Sequence, residues 1–187
     1  VARKVNSHIQ VAHGRVIDPL NPDPDKIKIV DIAHSLAHQC RYAGHVKEFY
    51  SVAQHSIIAS MIVSDENAFS ALMHDASEAY LVDVPSPLKN ALFGDRYREV
   101  ENLLMTTISQ KYGFAWPMPK EVEYADNALL RTEVRDLMWP VSDCSFDLWS
   151  PWFFADPLPD TIAPWTPVFT EKAFIKRFIE LGGNVDD

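Results

Sequence analysis

Helix punctuation constrains this chain most. Between residues 31 and 138, capping residues, glycines and prolines divide the sequence into segments whose apolar positions recur with helical spacing. Asp31 is the expected N-cap of a first helix through Cys40, with Gly44 as its stop. Ser51 caps a second helix through Val63, with Val52, Ile58 and Ile62 on its apolar side. A third runs from about Glu66 to Val82, ended by Pro85 and Pro87. Asp95 opens a fourth through Tyr112, closed by Gly113. Lys120 to Met138 is a fifth, with Val122, Leu129, Leu130, Leu137 and Met138 as its apolar stripe. A last helix covers 170–182, beginning at Thr170 and ending at Gly182, with Phe169 and Phe174 spaced as a hydrophobic staple.

The flanking segments are different. Ile9-Gln10-Val11 and Arg15-Val16-Ile17 surround Ala12-His13-Gly14, the pattern of a short hairpin. The stretch 139–167 is aromatic and proline-rich with little periodicity, and reads as an ordered loop draped over the core. No internal repeat or linker interrupts the chain. The expected architecture is all-α: a single-domain helical bundle over residues 1–187, with its core at about 27–138.

Composition narrows the function classes. With 187 residues and 47% hydrophobic content, the chain can bury one sizeable core. Its 17 Lys and Arg against 26 Asp and Glu give a net charge of −9, which disfavours a nucleic-acid polymer or an acidic membrane surface as partner. No apolar run reaches membrane-spanning length, and none follows the N-terminus as a signal segment would. Two cysteines, Cys40 and Cys144, are too few for a disulfide scaffold. A cytoplasmic protein with reduced thiols is expected.

The chemistry-bearing residues cluster in the first half. Seven histidines are present and none lies beyond His74. His74-Asp75 is followed by Glu78, and in a continuous helix the three would share one face, among the small residues Ser70, Ala71 and Ser77. Imidazole nitrogen and carboxylate oxygen together suit Zn, Mn, Co or Fe(II). His55 falls near the apolar face of the second helix. Asp126 lies four after Val122 and three before Leu129, on the apolar side of the fifth. A carboxylate there needs a partner, either a cation or a side chain such as Arg131 or Arg135. A rival pair, His34 and His38, has the i, i+4 spacing of zinc-binding helices, but Ser35 stands where such helices carry a glutamate. Packing or supporting roles are expected for both. Taken singly, each residue also has an ordinary reading: His55 as a hydrogen-bonded core histidine, Glu78 as a solvated helix-face charge, Asp83 as a turn residue, Lys89 as a surface lysine, His45 as a loop histidine.

The order His55, His74-Asp75, Asp126 resembles the H…HD…D signature of HD-domain metal-dependent phosphohydrolases. The longer strings Cys40-Arg41-Tyr42-Ala43-Gly44-His45, Phe49 to Ser56, Ala71 to Tyr80 and Asp83-Val84-Pro85-Ser86-Pro87-Leu88-Lys89 resemble the YfbR-type 5′-deoxynucleotidases and the related phage dATP triphosphohydrolases. The likeness covers about residues 27–138 and is most specific over 41–89. It implies a helical bundle of the HD type and one divalent metal ion (Co, Mn, Zn, Fe(II) or Mg) held by His55, His74, Asp75 and Asp126. By the same resemblance Glu78 would position or deprotonate the attacking water, or protonate the leaving oxygen. Asp83 would assist or hold the sugar 3′-hydroxyl. Arg41 would clamp the phosphate with its planar guanidinium, and Lys89 would be a second phosphate contact. Tyr42 stands where the bacterial deoxynucleotidases have a tryptophan that packs near the sugar and disfavours a 2′-hydroxyl. His45 would contact substrate.

The implied function is hydrolysis of a small deoxynucleotide, a 5′-phosphomonoester giving deoxynucleoside and phosphate. Two alternatives stay open: a dNTP triphosphohydrolase with Arg3, Lys4 or Arg15 folded over the site, and a non-catalytic nucleotide-binding regulatory module. The family also suggests a homodimer. HD proteins with several metals usually recruit further histidines after the HD pair, and this chain has none.

Overall fold

A computed structural model describes residues 6–89, 91, 94–141 and 154–187. The expected hairpin is present. Strand β1 (Ile9–Gln10) pairs antiparallel with β2 (Val16–Ile17), Ile9 opposite Ile17. Helix α1 (Ile29–His38) begins before Asp31, with Lys28 at the N-cap position. Asp31 is instead buried in the first turn, where the helix dipole favours an acid. Arg15 donates to it from Nε at 2.7 Å and Nη2 at 2.8 Å, and the His13 ring lies 2.9 Å away. A residue expected to cap a helix therefore ties the hairpin to it.

Helix α2 (Val52–Met61) starts where the sequence places it, since the Ser51 hydroxyl accepts the Gln54 N–H at 3.1 Å. It is buried on every side from Val52 to Ile57, which marks a central helix rather than an amphipathic surface one. It packs against α1, α3 (Asp65–Met73), α7 (Lys120–Leu137) and α8 (Pro167–Glu180). Helix α6 (Gly94–Tyr112) ends at Gly113, whose φ of +75° suits a glycine stop.

The expected helix over 66–82 is broken. Helix α3 stops at Met73 and a separate short α4 (Glu78–Leu81) follows. Across the break the amides of Ala76, Glu78 and Tyr80 reach back three residues, each at 3.0 Å, instead of four. The His74 ring donates to the Ala71 carbonyl at 2.8 Å, competing locally with the helical ladder. A further short turn, α5 (Ser86–Leu88), begins after Pro85 and contains Pro87.

Helix α8 also differs from expectation. Thr166 is its N-cap, accepting the Phe169 N–H, and Pro167 fills the first turn. Phe169 is consequently inside the helix and exposed, edge-on to Trp165, so it makes no staple with the buried Phe174.

The main core joins Ile17, Ile27, Ile32 and Leu36 to Val52, Leu72, Leu104, Ile108, Phe174 and Phe178. A second cluster, Ala59, Ala71, Val122 and Leu129, seats α7 on α2 and α3. Residues 154–166 run over α7 as a tied strap, as an ordered loop should. Asn127 accepts the amides of Phe154 and Ala155, Thr132 that of Leu158, and Asp136 that of Ile162. Gln54 closes the strap by pairing with Ala163 and Trp165. Residues 142–153, with Cys144, and the N-terminal Arg3 and Lys4 lie outside the described residues. Among the described residues no helix is long and apolar enough to cross a membrane.

Phe178 is fully buried, with the rings of Tyr112 and Phe69 edge-on at 5.4 Å each. Phe178→Ala should cost about 3–5 kcal/mol of folding free energy, read as a lower denaturant midpoint.

Candidate metal centre

The chain brings its imidazoles and carboxylates together at the junction of α2, the α3–α4 break and α7. Ser51 fixes the start of α2 and so places His55 one turn in. His55 is wholly buried. Its Nδ1 lies 2.6 Å from Glu133 Oε1. A carboxylate oxygen accepts there, so Nδ1 carries a proton and Nε2 is the nitrogen turned to the cluster. His74 is set the same way by the Ala71 carbonyl. The two Nε2 atoms are 3.2 Å apart. Asp75 Oδ2 lies 3.2 Å from His74 Nε2 and 3.8 Å from His55 Nε2. Asp126 Oδ1 lies 3.0 Å from His55 Nε2 and 3.9 Å from His74 Nε2.

Donor atoms of His55, His74 and Asp75 thus lie within 4.8 Å of one another, a buried cluster that can hold a metal ion. Asp126 borders it on the open side, with its side chain 41% exposed. Neither Arg131 nor Arg135 supplies its partner. Arg131 reaches Ala155 and Asp156, and Arg135 reaches Asp136, Leu158 and Asp160.

Neighbouring charges in the cluster set one another's ionisation. Burial opposes ionisation of Asp75, but the His74 ring, then His55 and Arg41, hold its carboxylate below the ordinary range. Asp126 is likewise lowered, against burial, by His55. Burial and the Arg41 charge press the His55 pKa down, yet Glu133 and Asp126 outweigh them and set it at about 9. Glu78 behaves oppositely. Burial first, then the Asp75 and Asp83 carboxylates, raise its pKa well above the usual range. Its Oε2 is buried and has no hydrogen-bond partner among the described residues. Asp83 is raised too, chiefly by burial.

These groups open onto a cavity of about 500 Å³. Its polar lining includes Arg41, Tyr42, His45, His74, Asp75, Glu78, Asp83, Lys89 and Asp126. Nine of the ten residues singled out in the sequence therefore share one cavity, and the tenth, His55, lies beneath it. Apolar lining comes from Met105, Trp116, Met118, Leu130 and Met138.

The arginine segment is held by its ends. Cys40 and Ser51 form an isolated bridge, with the Arg41 N–H donating to the Tyr50 carbonyl at 2.9 Å. Between them Tyr42, Ala43 and Gly44 are left-handed, at φ 56°, 52° and 83°. Arg41 donates from Nε to Glu133 at 3.2 Å and stands 3.5 Å from Asp75. The Tyr42 hydroxyl also donates to Glu133. Lys89 is less available than the sequence implies, because it donates to Glu101 at 2.8 Å and lies over the Tyr97 ring. His45 is exposed at the rim. Arg15 is committed to Asp31 and does not line this cavity.

Two organising residues went unnoticed in the sequence. Glu133 sits four after Leu129 and four before Leu137, a charge on the apolar stripe of α7, which is the signal that singled out Asp126. Gln39 donates to the Glu78 carbonyl at 3.0 Å and accepts the Asp83 N–H at 3.1 Å. Nothing in its local sequence marks it.

Comparison with models of known protein families gives no match. The uncharacterized protein YfdR of Escherichia coli (strain K12) is 43% identical over 161 residues, 84% of this chain and 85% of that protein. An uncharacterized protein of Rhodobacter capsulatus is 32% identical over 137 residues, 66% of this chain and 69% of that protein. With that identity over most of both lengths, the chain belongs to the same protein family as Escherichia coli YfdR.

Proposed function

We propose that this protein is a divalent-metal-dependent phosphohydrolase acting on small deoxynucleotides, releasing phosphate from a 5′-phosphomonoester. One observation carries the reading. Two imidazoles, two carboxylates, a guanidinium and a buried carboxyl group with a raised pKa meet at a nucleotide-sized cavity.

The donor set fits a single cation. Both imidazoles are anchored at Nδ1 and turn Nε2 to the cluster, where the proton that Asp75 and Asp126 favour is displaced on cation binding, and both carboxylates are held on the ionised side. His55, His74, Asp75 and Asp126 would hold the ion, which when bound supplies Lewis-acid polarisation of a phosphoryl oxygen. Arg41 stays charged: burial opposes it, but the Glu133 carboxylate more than compensates. Two of its nitrogens are engaged by Glu133 and Asp75, which orients the guanidinium toward the cavity for phosphate.

Hydrolysis needs one proton delivered to the leaving 5′ oxygen as the P–O bond breaks. Burial and the Asp75 and Asp83 carboxylates favour a proton on Glu78, whose buried Oε2 has no hydrogen-bond partner among the described residues, so it serves as the acid. The proton lost by the attacking water restores it. Asp83, placed by Gln39, faces the same space and is suited to a sugar hydroxyl. The apolar wall around Trp116 and Met118 takes the base, and Tyr42 and His45 edge the sugar side.

A monophosphate fits better than a triphosphate. Of the cations lining the cavity, Lys89 is already paired with Glu101; Arg15, which does not line it, is held by Asp31. A regulatory binder has no use for a buried acid beside the donor cluster.

Purified protein should release inorganic phosphate, not tripolyphosphate, from a panel of dNMPs only when divalent metal is present. Absence of turnover on every dNMP and dNTP with Mn, Co, Zn, Fe(II) and Mg would refute the reading. Asp75→Ala should remove the cavity's metal equivalent in calorimetry. Glu78→Ala should keep that equivalent and lower kcat by about 10²–10⁴-fold. Glu133→Gln should weaken metal binding by about 10–100-fold while far-UV circular dichroism stays unchanged, because the His55 ring loses its carboxylate anchor.

A further inference from the structure

We infer that His34, His38 and Glu171 form a second metal site, of the zinc type, at the seam between α1 and α8. One donor atom from each of the three lies within 4.8 Å of the others. The two histidines are stacked at i, i+4, with ring centroids 4.2 Å apart and planes at 28°. The His34 carbonyl accepts from His38 Nδ1 at 2.8 Å. That bond fixes the tautomer and leaves His38 Nε2 as a free lone pair, the arrangement that prepares a histidine for a metal. Glu171, in the first turns of α8, puts Oε2 3.1 Å from His34 Nδ1. Two imidazoles and a carboxylate from two helices make the donor mixture that selects zinc-like ions over Mg or Ca.

The cluster is open to solvent, with the His34 side chain 43% and that of Glu171 32% exposed, so an ion can enter and keep water in its remaining position. A further imidazole, His13, stands edge-on 6.2 Å from His34 and is itself oriented by Asp31. None of the three residues lines the large cavity, so this site is separate from the one described above.

Its position suggests what it does. His38 is the last residue of α1, and the next residue, Gln39, holds the Glu78 carbonyl and the Asp83 amide. An ion bridging His34, His38 and Glu171 clamps that last turn to α8. The second site is therefore a structural clamp behind the loop that carries Glu78 and Asp83.

Zinc titration of the metal-stripped full chain by calorimetry tests this. The wild-type chain should bind two equivalents, and His38→Ala with Glu171→Gln should remove one of them. In the Asp75→Ala background the remaining equivalent should persist, and the same two substitutions should weaken it at least about tenfold. Zinc should also raise the melting temperature of Asp75→Ala but not of the triple variant. Less than a tenfold loss in the triple variant, or no zinc-dependent rise for Asp75→Ala, overturns the proposal. His38 and Glu171 lie outside the core, so their substitution leaves folding intact. Failure here leaves the cavity's metal equivalent and any phosphohydrolase activity untouched, so the two readings are judged separately.

Discussion

Glu133 has no solvent-exposed side-chain surface, and a carboxylate there is tolerable only because three donors converge on it. His55 gives one hydrogen bond, Arg41 another, and the Tyr42 hydroxyl a third. Burial resists its charge, but Arg41 and then His55 hold its pKa down at about 2. Those three partners come from α2 and from the segment just before it, whereas Glu133 comes from α7. The network therefore sets the register between α7 and α2, fixes the His55 tautomer and draws the guanidinium toward Asp75. Removing one member of such a network leaves a buried charge uncompensated, which typically costs about 3–5 kcal/mol, more than the intact pair contributes over an apolar substitute.

The same network holds a strained turn. Tyr42 and Ala43 both occupy the left-handed region, where an L-residue with a Cβ loses about 1–2 kcal/mol. Such backbone persists only when its surroundings over-determine it. Here the Cys40–Ser51 bridge pins the ends, and Lys47 fastens the far side to the C-terminal carbonyls of α7 through the Leu137 and Asp136 oxygens. A relaxed loop would carry Arg41 and Tyr42 away from the cavity. Local strain is exchanged for a fixed side-chain position, and the buried carboxylate makes the exchange possible.

Features governed by short-range chemistry were legible in the sequence. The Ser51 cap, the Gly113 stop and the hairpin around Gly14 each depend on residues within a few positions of one another. Asp31 was misplaced because a side chain that looks like a cap has stronger partners in Arg15 and His13, distant in sequence. The α3–α4 break was hidden because its cause, a histidine turning back on its own carbonyl, breaks no rule of helical periodicity. The gathering of His55, His74, Asp75 and Asp126 followed from motif order, whereas Glu133 and Gln39 act through partners dozens of residues away. Lys89 shows the opposite error. Its cation was counted as available until its pairing with Glu101 was visible.

That pairing bears on how an acidic chain of net charge −9 could handle phosphate at all. Five carboxyl groups line the cavity, and each is accommodated differently. Glu101 is matched by Lys89, Asp75 by His74 and Arg41, and Asp126 by His55, while burial and the neighbouring carboxylates favour the proton on Glu78. Burial likewise favours the proton on Asp83. The positive charge lining the cavity is thus already engaged by carboxylates, and a phosphate dianion added alone would meet an environment close to neutral or negative. A dication in the imidazole–carboxylate cluster reverses that sign locally and over a short range, since such charge is screened within about 8–10 Å. On the proposed reading, the cavity attracts one phosphate beside the cluster and little beyond it. Nucleotide size and metal dependence then follow from a single electrostatic constraint, the scarcity of uncommitted cations around a heavily carboxylated pocket.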